Sequence, residues 1–295
     1  MATINRNIPL VVIVGPTASG KTDLAMKLAV ECGGEILCAD SRTIYRGMDI
    51  GTAKPSVEEQ RAVPHHLLDI REPGQPFSVA EFQTLARQAI SEIRGRGNVP
   101  FLVGGSGLYV DSIIFDYKFS AQADDAQRQR LEQLSLAELH EYCSENNIQL
   151  PENAQNKRYV IRAIEQNGVN IQRQDVLIED CLVVGISTNK DTLRQRITHR
   201  ADALFGAGMM DEAIRVGLQY GWNNEAMTGN VYRLAKAVYE GDLSLDAARE
   251  RFITLDWRLA KRQLTWFKRN PFIHWGDRQE LDKLIRTYLV SNKTC

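Results

Sequence analysis

Gly15-Pro16-Thr17-Ala18-Ser19-Gly20-Lys21-Thr22 follows the apolar run Leu10 to Val14 and opens a helical pattern of Leu24, Ala25, Leu28 and Ala29. That order is strand, glycine loop, helix. The spacing G-x-x-x-x-G-K-T lets backbone N–H groups curl around a phosphate chain at a positive helix end, with Lys21 as a point charge and Thr22 as a Mg²⁺ ligand. Gly15, Thr17, Ala18, Ser19, Gly20, Lys21 and Thr22 are the expected phosphate-binding residues, as in a nucleotide-binding P-loop. The motif leaves open whether the phosphate is a phosphoryl donor or a leaving group.

Further apolar runs at Ile36 to Ala39, Val99 to Val103 and Cys181 to Ile186 read as buried parallel strands. Helical patterns lie between them, one through Val79, Phe82, Ala86, Ala89, Ile90 and Ile93 and one through Leu193, Ile197, Ala201 and Leu204. The expected fold is therefore α/β, a P-loop NTPase-like parallel sheet with helices on both faces. From Ser120 to about Asn170 no β-type run occurs, and polar residues surround short helical stretches with Leu131, Leu134 and Leu139. This predicts a small helical insertion domain over 120–170, between core segments 1–119 and 171–295.

Thirty-six Lys and Arg balance 37 Asp and Glu in the 295 residues, so attraction to nucleic acid has to come from a local patch. The five cysteines are scattered without a C-x-x-C pair, which suggests neither a zinc site nor a disulfide framework and fits a reducing cytoplasm. Met1 to Asn7 and the short run after it read as neither a signal segment nor a membrane span. Among the five histidines, His65-His66 after Pro64 read as structural or rim residues, because no partner stands at metal-ligand spacing.

Asp40 leaves the carboxyl end of the second strand, the edge at which open α/β sheets bind ligands, and should face the phosphate loop from the neighbouring strand. It reads as a general base, as a cap, or as a holder of Mg²⁺ through water. The strand Val99 to Val103 ends in Gly104-Gly105-Ser106 and not in the acidic residue that a hydrolytic P-loop enzyme uses to hold Mg²⁺. The two glycines admit something close, and Ser106 is a hydroxyl for a substrate or a helix cap. Arg196 and Arg200 lie one turn apart on a helix whose buried stripe they do not share, a pattern usual for a solvated face. Near the end, Ile253, Trp257, Ala260, Leu264 and Phe267 form an apolar seam, with Arg258, Lys261, Arg262, Thr265, Lys268 and Arg269 opposite. That is a solvated surface or a track for a phosphate backbone, and Arg128, Arg130, Arg158 and Arg162 could extend it.

The phosphate loop, then Asp40-Ser41 through Tyr45, Gly47-Met48-Asp49-Ile50-Gly51-Thr52-Ala53-Lys54-Pro55, then Pro64-His65-His66-Leu67-Leu68-Asp69-Ile70, and finally Ala260-Lys261-Arg262-Gln263-Leu264-Thr265-Trp266-Phe267 resemble the bacterial tRNA dimethylallyltransferases. The likeness runs from about residue 10 to 275. It implies transfer of a dimethylallyl group from dimethylallyl diphosphate to N6 of the adenosine 3′-adjacent to the anticodon in tRNA, with release of diphosphate. Matching positions imply that the phosphate loop holds the diphosphate with Thr22 near Mg²⁺. They make Asp40 the base, place Ser106 against the target nucleotide, and assign Lys21 and Arg200 to the leaving group.

Asp40, Ser41, Arg42, Thr43, Ser106, Arg128, Arg158, Arg162, Arg233, Lys261, Arg262, Gln263, Thr265, Trp266 and Lys268 match tRNA-contacting segments of the family. The implied protein is a cytoplasmic monomer whose partners are the tRNA anticodon stem–loop and dimethylallyl diphosphate, with no membrane. Three positions depart from the family pattern: Ser106 where threonine is usual, Val231 where glycine is common, and Tyr159 where arginine is frequent. An isopentenyltransferase acting on free adenine nucleotide would share the loop and Asp40. A P-loop kinase would share the loop alone.

Overall fold

A computed structural model describes residues 8–119, 125–165, 173–206 and 208–292. Positions 120 and 170, which the sequence reading set as edges of the insertion, lie outside them, as does the segment Met1 to Asn7.

The chain divides into two compact units, Met1–Ile114 with Leu177–Cys295, and Phe115–Val176. In chain order the first unit opens with β1 (Leu10–Val14), α1 (Lys21–Cys32), β2 (Gly34–Ala39), α2 (Val57–Ala62), β3 (His65–His66), α3 (Val79–Gly95), β4 (Val99–Gly104) and α4 (Gly107–Ile114). The second unit holds α5 (Asp125–Gln133), α6 (Leu136–Glu145) and α7 (Lys157–Glu165). The first unit resumes with β5 (Cys181–Ile186), α8 (Lys190–Gly206), α9 (Met209–Tyr220), α10 (Asn230–Tyr239), α11 (Leu245–Phe267), β6 (His274–Gly276) and α12 (Arg278–Ser291).

All six strands run parallel in the order β3-β2-β4-β1-β5-β6, giving a P-loop NTPase-like sheet. Because successive side chains alternate between faces, Val11, Ile13, Cys38, Val103 and Val184 pack with Leu24 and Leu28 of α1 and Leu281 and Ile285 of α12. The equally buried alternate positions Val12, Leu37, Leu102 and Val183 point to the other side. Both faces are thus dry, which is why these strands read as unbroken apolar runs. Four helices begin at capping boxes, Ser56 with Glu59, Ser78 with Glu81, Ser135 with Glu138 and Asp277 with Glu280. The second unit closes its own small core around Leu131, Leu139, Cys143, Val160 and Ile164.

The short strands β3 and β6, two and three residues long, carry no periodic signal and escape the sequence reading. Cys38, Cys143 and Cys181 are free.

Candidate active site

The phosphate loop leaves β1 at the centre of the sheet. Ala18 and Gly20 adopt left-handed backbone (φ 60° and 87°), the alternation that turns successive N–H groups toward one point. Two side chains from distant helices hold the loop in place. Gln263 of α11 accepts the Thr17 N–H at 2.8 Å through Oε1, and Arg196 of α8 donates to the Ser19 carbonyl at 2.9 Å.

A cavity of about 720 Å³ opens over this loop at the carboxyl edge of the sheet. Burial lowers the Lys21 ammonium to about 8, with the nearby Asp40 carboxylate opposing and Arg200 adding to the effect. Arg200 also lines the cavity, and its Nε is buried without a hydrogen-bond partner among the described residues. A desolvated ammonium and an unpaired guanidinium nitrogen beside an N–H nest form a site for a multiply charged anion.

Asp40 reaches this cavity by a different route from the one expected. Its strand β2 is not the neighbour of β1, since β4 lies between them. Gly104 and Gly105 at the end of β4 make the approach possible. A Cβ on Gly104 would stand 2.0 Å from the Ala39 carbonyl, and one on Gly105 would stand 2.3 Å from the Gln263 amide. The Asp40 carboxylate caps a turn and not a helix: Oδ1 accepts the Arg42 N–H at 2.8 Å, which leaves Oδ2 for another proton. Beside it Ser106 accepts the Ser41 N–H at 3.1 Å through Oγ, so its hydroxyl ties the second and fourth strand ends together and does not cap α4.

The segment after Asp40 forms the far wall of the cavity. Glu212 of α9, buried, accepts the N–H groups of Asp49, Ile50 and Gly51 at 2.7, 2.8 and 2.9 Å and the Tyr232 hydroxyl at 2.7 Å. Gly51 is required here, because a Cβ would meet the Tyr232 hydroxyl at 2.6 Å. Lys54, with its side chain 3% exposed, binds Asp49, Asp69 and the Tyr45 carbonyl. On the α11 side the buried Asp256 accepts from Asn230 at 3.1 Å. Burial raises its carboxyl while Arg200 opposes the shift. Cys38 also lines the cavity, and burial pushes its thiol up to about 12, which leaves it inert as a nucleophile.

The predicted residues fall into four places. Thr17, Ala18, Gly20, Lys21, Thr22, Asp40, Ser106 and Arg200 line the one cavity, as do Ser41, Arg42, Thr43, Arg233, Arg262 and Gln263. Gly15 and Ser19 are buried within the loop itself. Lys261, Thr265 and Lys268 lie exposed on α11, with Lys261 over the Trp257 ring at 5.2 Å and the Thr265 hydroxyl bonded to the Lys261 carbonyl. Trp266 is half-buried, donates to Asp111 at 2.8 Å and packs where a side chain on Gly107 would stand. Arg128, Arg158 and Arg162 gather in the second unit. Burial lowers the Arg162 guanidinium, Glu165 opposes the shift, and repulsion from Arg128 and Arg158 adds to it.

Arg42 donates to the Glu225 carbonyl at 2.7 Å and Thr43 is buried, so both are already engaged with the protein. The reading from residues missed Lys54, Arg196, Glu212 and Asp256. Lys54 and Arg196 were visible in quoted motifs, whereas Glu212 and Asp256 sit in helical patterns where nothing sets them apart. Tyr45 and Tyr109 are core residues, the latter stacked on Phe82. His66 bonds the buried Glu35 and His65 the Val63 carbonyl, both structural contacts.

The family model described as IPP transferase matches residues 43–270. A tRNA dimethylallyltransferase of Desulforudis audaxviator strain MP104C is 41% identical over 291 residues, covering 92% of this chain and 93% of that relative. The solved full-length tRNA isopentenylpyrophosphate transferase of Bacillus halodurans superposes with a TM-score of 0.75 at 35% identity, covering 97% of this chain and 98% of that one. The corresponding structure from Staphylococcus epidermidis gives 0.72 at 33% identity over 96% and 98%. With the family model spanning most of the chain and relatives about 40% identical covering nine tenths of it, the chain belongs to the IPP transferase family of tRNA dimethylallyltransferases.

Proposed function

We propose that this enzyme transfers the dimethylallyl group of dimethylallyl diphosphate to N6 of the adenosine 3′-adjacent to the anticodon in tRNA and releases diphosphate. The observation that carries the reading is one cavity in which Lys21 and Arg200 face Asp40 across the glycine end of β4. Breaking the allylic C–O bond leaves the electron pair on the diphosphate, so the site must stabilise growing negative charge. The loop N–H groups, Lys21 and Arg200 are fixed donors for that charge. The N6 lone pair forms the new C–N bond, and the proton lost from N6 passes to Oδ2 of Asp40. A carboxylate is a weak base and accepts that proton only as bonding makes the amine acidic, so placement counts for more than basicity. Ser106, beside Asp40, is placed to orient the nucleotide. Because the amine is stacked within an anticodon loop, the base has to leave the stack to enter the cavity.

The donor set suits Mg²⁺, since the Thr22 hydroxyl opens α1 at the cavity and no group of three or more His, Cys, Asp or Glu side chains among the described residues could form a protein cage. Thr22 would hold the ion with diphosphate oxygens and water as its other ligands. When bound, Mg²⁺ supplies further positive charge to the leaving group. Arg233, Arg262 and the exposed basic face of α11 bind RNA phosphates, and the arginines of the second unit serve the same end. No helix among the described residues is long and apolar enough to cross a membrane. The cytoplasmic, monomeric enzyme of this proposal rests on the family resemblance. The test is stoichiometry: one diphosphate released per adenosine modified supports the assignment. ADP formed from ATP in step with turnover would replace it with a kinase.

A further inference from the structure

Gln263 was matched to a tRNA-contacting segment, yet its amide points inward. Oε1 accepts the Thr17 N–H of the phosphate loop, and Nε2 donates to the Gly105 carbonyl at 3.1 Å. Gly105 admits it, since any side chain there would overlap the amide. One turn on, Trp266 docks against Gly107 in the same manner and bonds Asp111. The neighbours Lys261, Arg262, Thr265 and Lys268 are exposed. Adjacent residues of one helix thus present charge outward and grip two catalytic loops inward.

We propose that Gln263 is a positioning residue that couples RNA binding on α11 to the diphosphate site. This rests on the reading of the exposed α11 face as an RNA track. Through Thr17 the amide sets the loop that holds the diphosphate. Through Gly105 it sets the segment whose next residue, Ser106, anchors Ser41 beside Asp40. RNA that fixes α11 therefore fixes the leaving-group cradle and the base-bearing turn together, from a single side chain. Linkage makes the effect reciprocal: diphosphate must tighten RNA binding by the factor that RNA tightens diphosphate binding.

The experiment is calorimetric titration of the full chain with inorganic diphosphate and Mg²⁺, with and without a saturating anticodon stem–loop RNA. The expected result is tightening by RNA of about 5–150-fold in the natural protein, the usual range for coupled sites. In Gln263→Leu, which keeps the bulk and removes both amide atoms, the factor falls to near one while RNA affinity and its salt dependence stay unchanged. Gln263→Glu keeps the acceptor for Thr17 and removes the donor to Gly105, and should retain an intermediate factor. Melting temperature identifies a variant that has lost its fold, and for that case the Gln263→Glu result decides. Equal coupling in the natural protein and both variants, or RNA and diphosphate binding independently in the natural protein, overturns the proposal and leaves the activity standing. Failure of the stem–loop to bind the natural protein at all overturns the RNA-track reading and the proposal with it.

Discussion

In the proposed mechanism Asp40 and Lys21 divide the chemistry between an acceptor for a proton and a donor to an anion, and each can be tested alone. Asp40→Asn preserves the Oδ1 turn with Arg42 but cannot take the N6 proton, so kcat should fall by about 10²–10⁴-fold with both substrates still bound. Collapse of tRNA binding with intact single-turnover chemistry would remove Asp40 from the role of base. Lys21, lowered to about 8 by burial, has to be protonated to meet a polyanion. Binding the anion raises its pKa, so affinity for the diphosphate is full below about 8 and declines as pH rises through it. Lys21→Arg should shift that alkaline limb upward, and a natural enzyme with flat kcat/KM up to pH 9.5 would contradict the assignment. Arg200→Ala should cost roughly 3 kcal/mol of transition-state stabilisation if its guanidinium, whose Nε is buried, meets the leaving group. Unchanged kinetics would remove Arg200 from the stabilisation of the leaving group.

At the scale of elements, the buried runs made the four long strands legible, since a strand covered on both faces carries no polar alternation to hide it. The helices were legible for a similar reason, because the stripe Leu193, Ile197, Ala201 and Leu204 is fully buried in α8. The order of strands was not legible, and with it the intervening position of β4, whose glycines let Asp40 reach Lys21. Local periodicity also says nothing of partners such as Glu212 and Ile50, which lie 162 positions apart. Gln263 shows the limit from the other side: its motif was recognised, but only the fold reveals that the amide turns to the loops. Glu212→Gln puts an amide NH₂ among four donors. It should destabilise the protein by about 1–3 kcal/mol for the buried groups left unpaired, measured by denaturant unfolding. Stability equal to that of the natural protein would mean that the loop over Asp49 to Gly51 does not depend on this carboxylate.

For the whole molecule the near-neutral charge leaves RNA affinity to a local patch, and the exposed face of α11 is the one proposed. Affinity for tRNA should fall steeply with salt, and replacing both Lys261 and Arg262 by Ala should flatten the log–log slope by up to about 0.7–0.9 per lost phosphate contact. An unchanged slope would show that this face of α11 meets only water. The measurement that bears most directly on the account is a competition between unmodified tRNA and AMP for labelled dimethylallyl diphosphate, followed by nucleoside analysis. The account predicts label on N6 of the adenosine 3′-adjacent to the anticodon and none on AMP. Label appearing equally on AMP, or on neither acceptor, would contradict it.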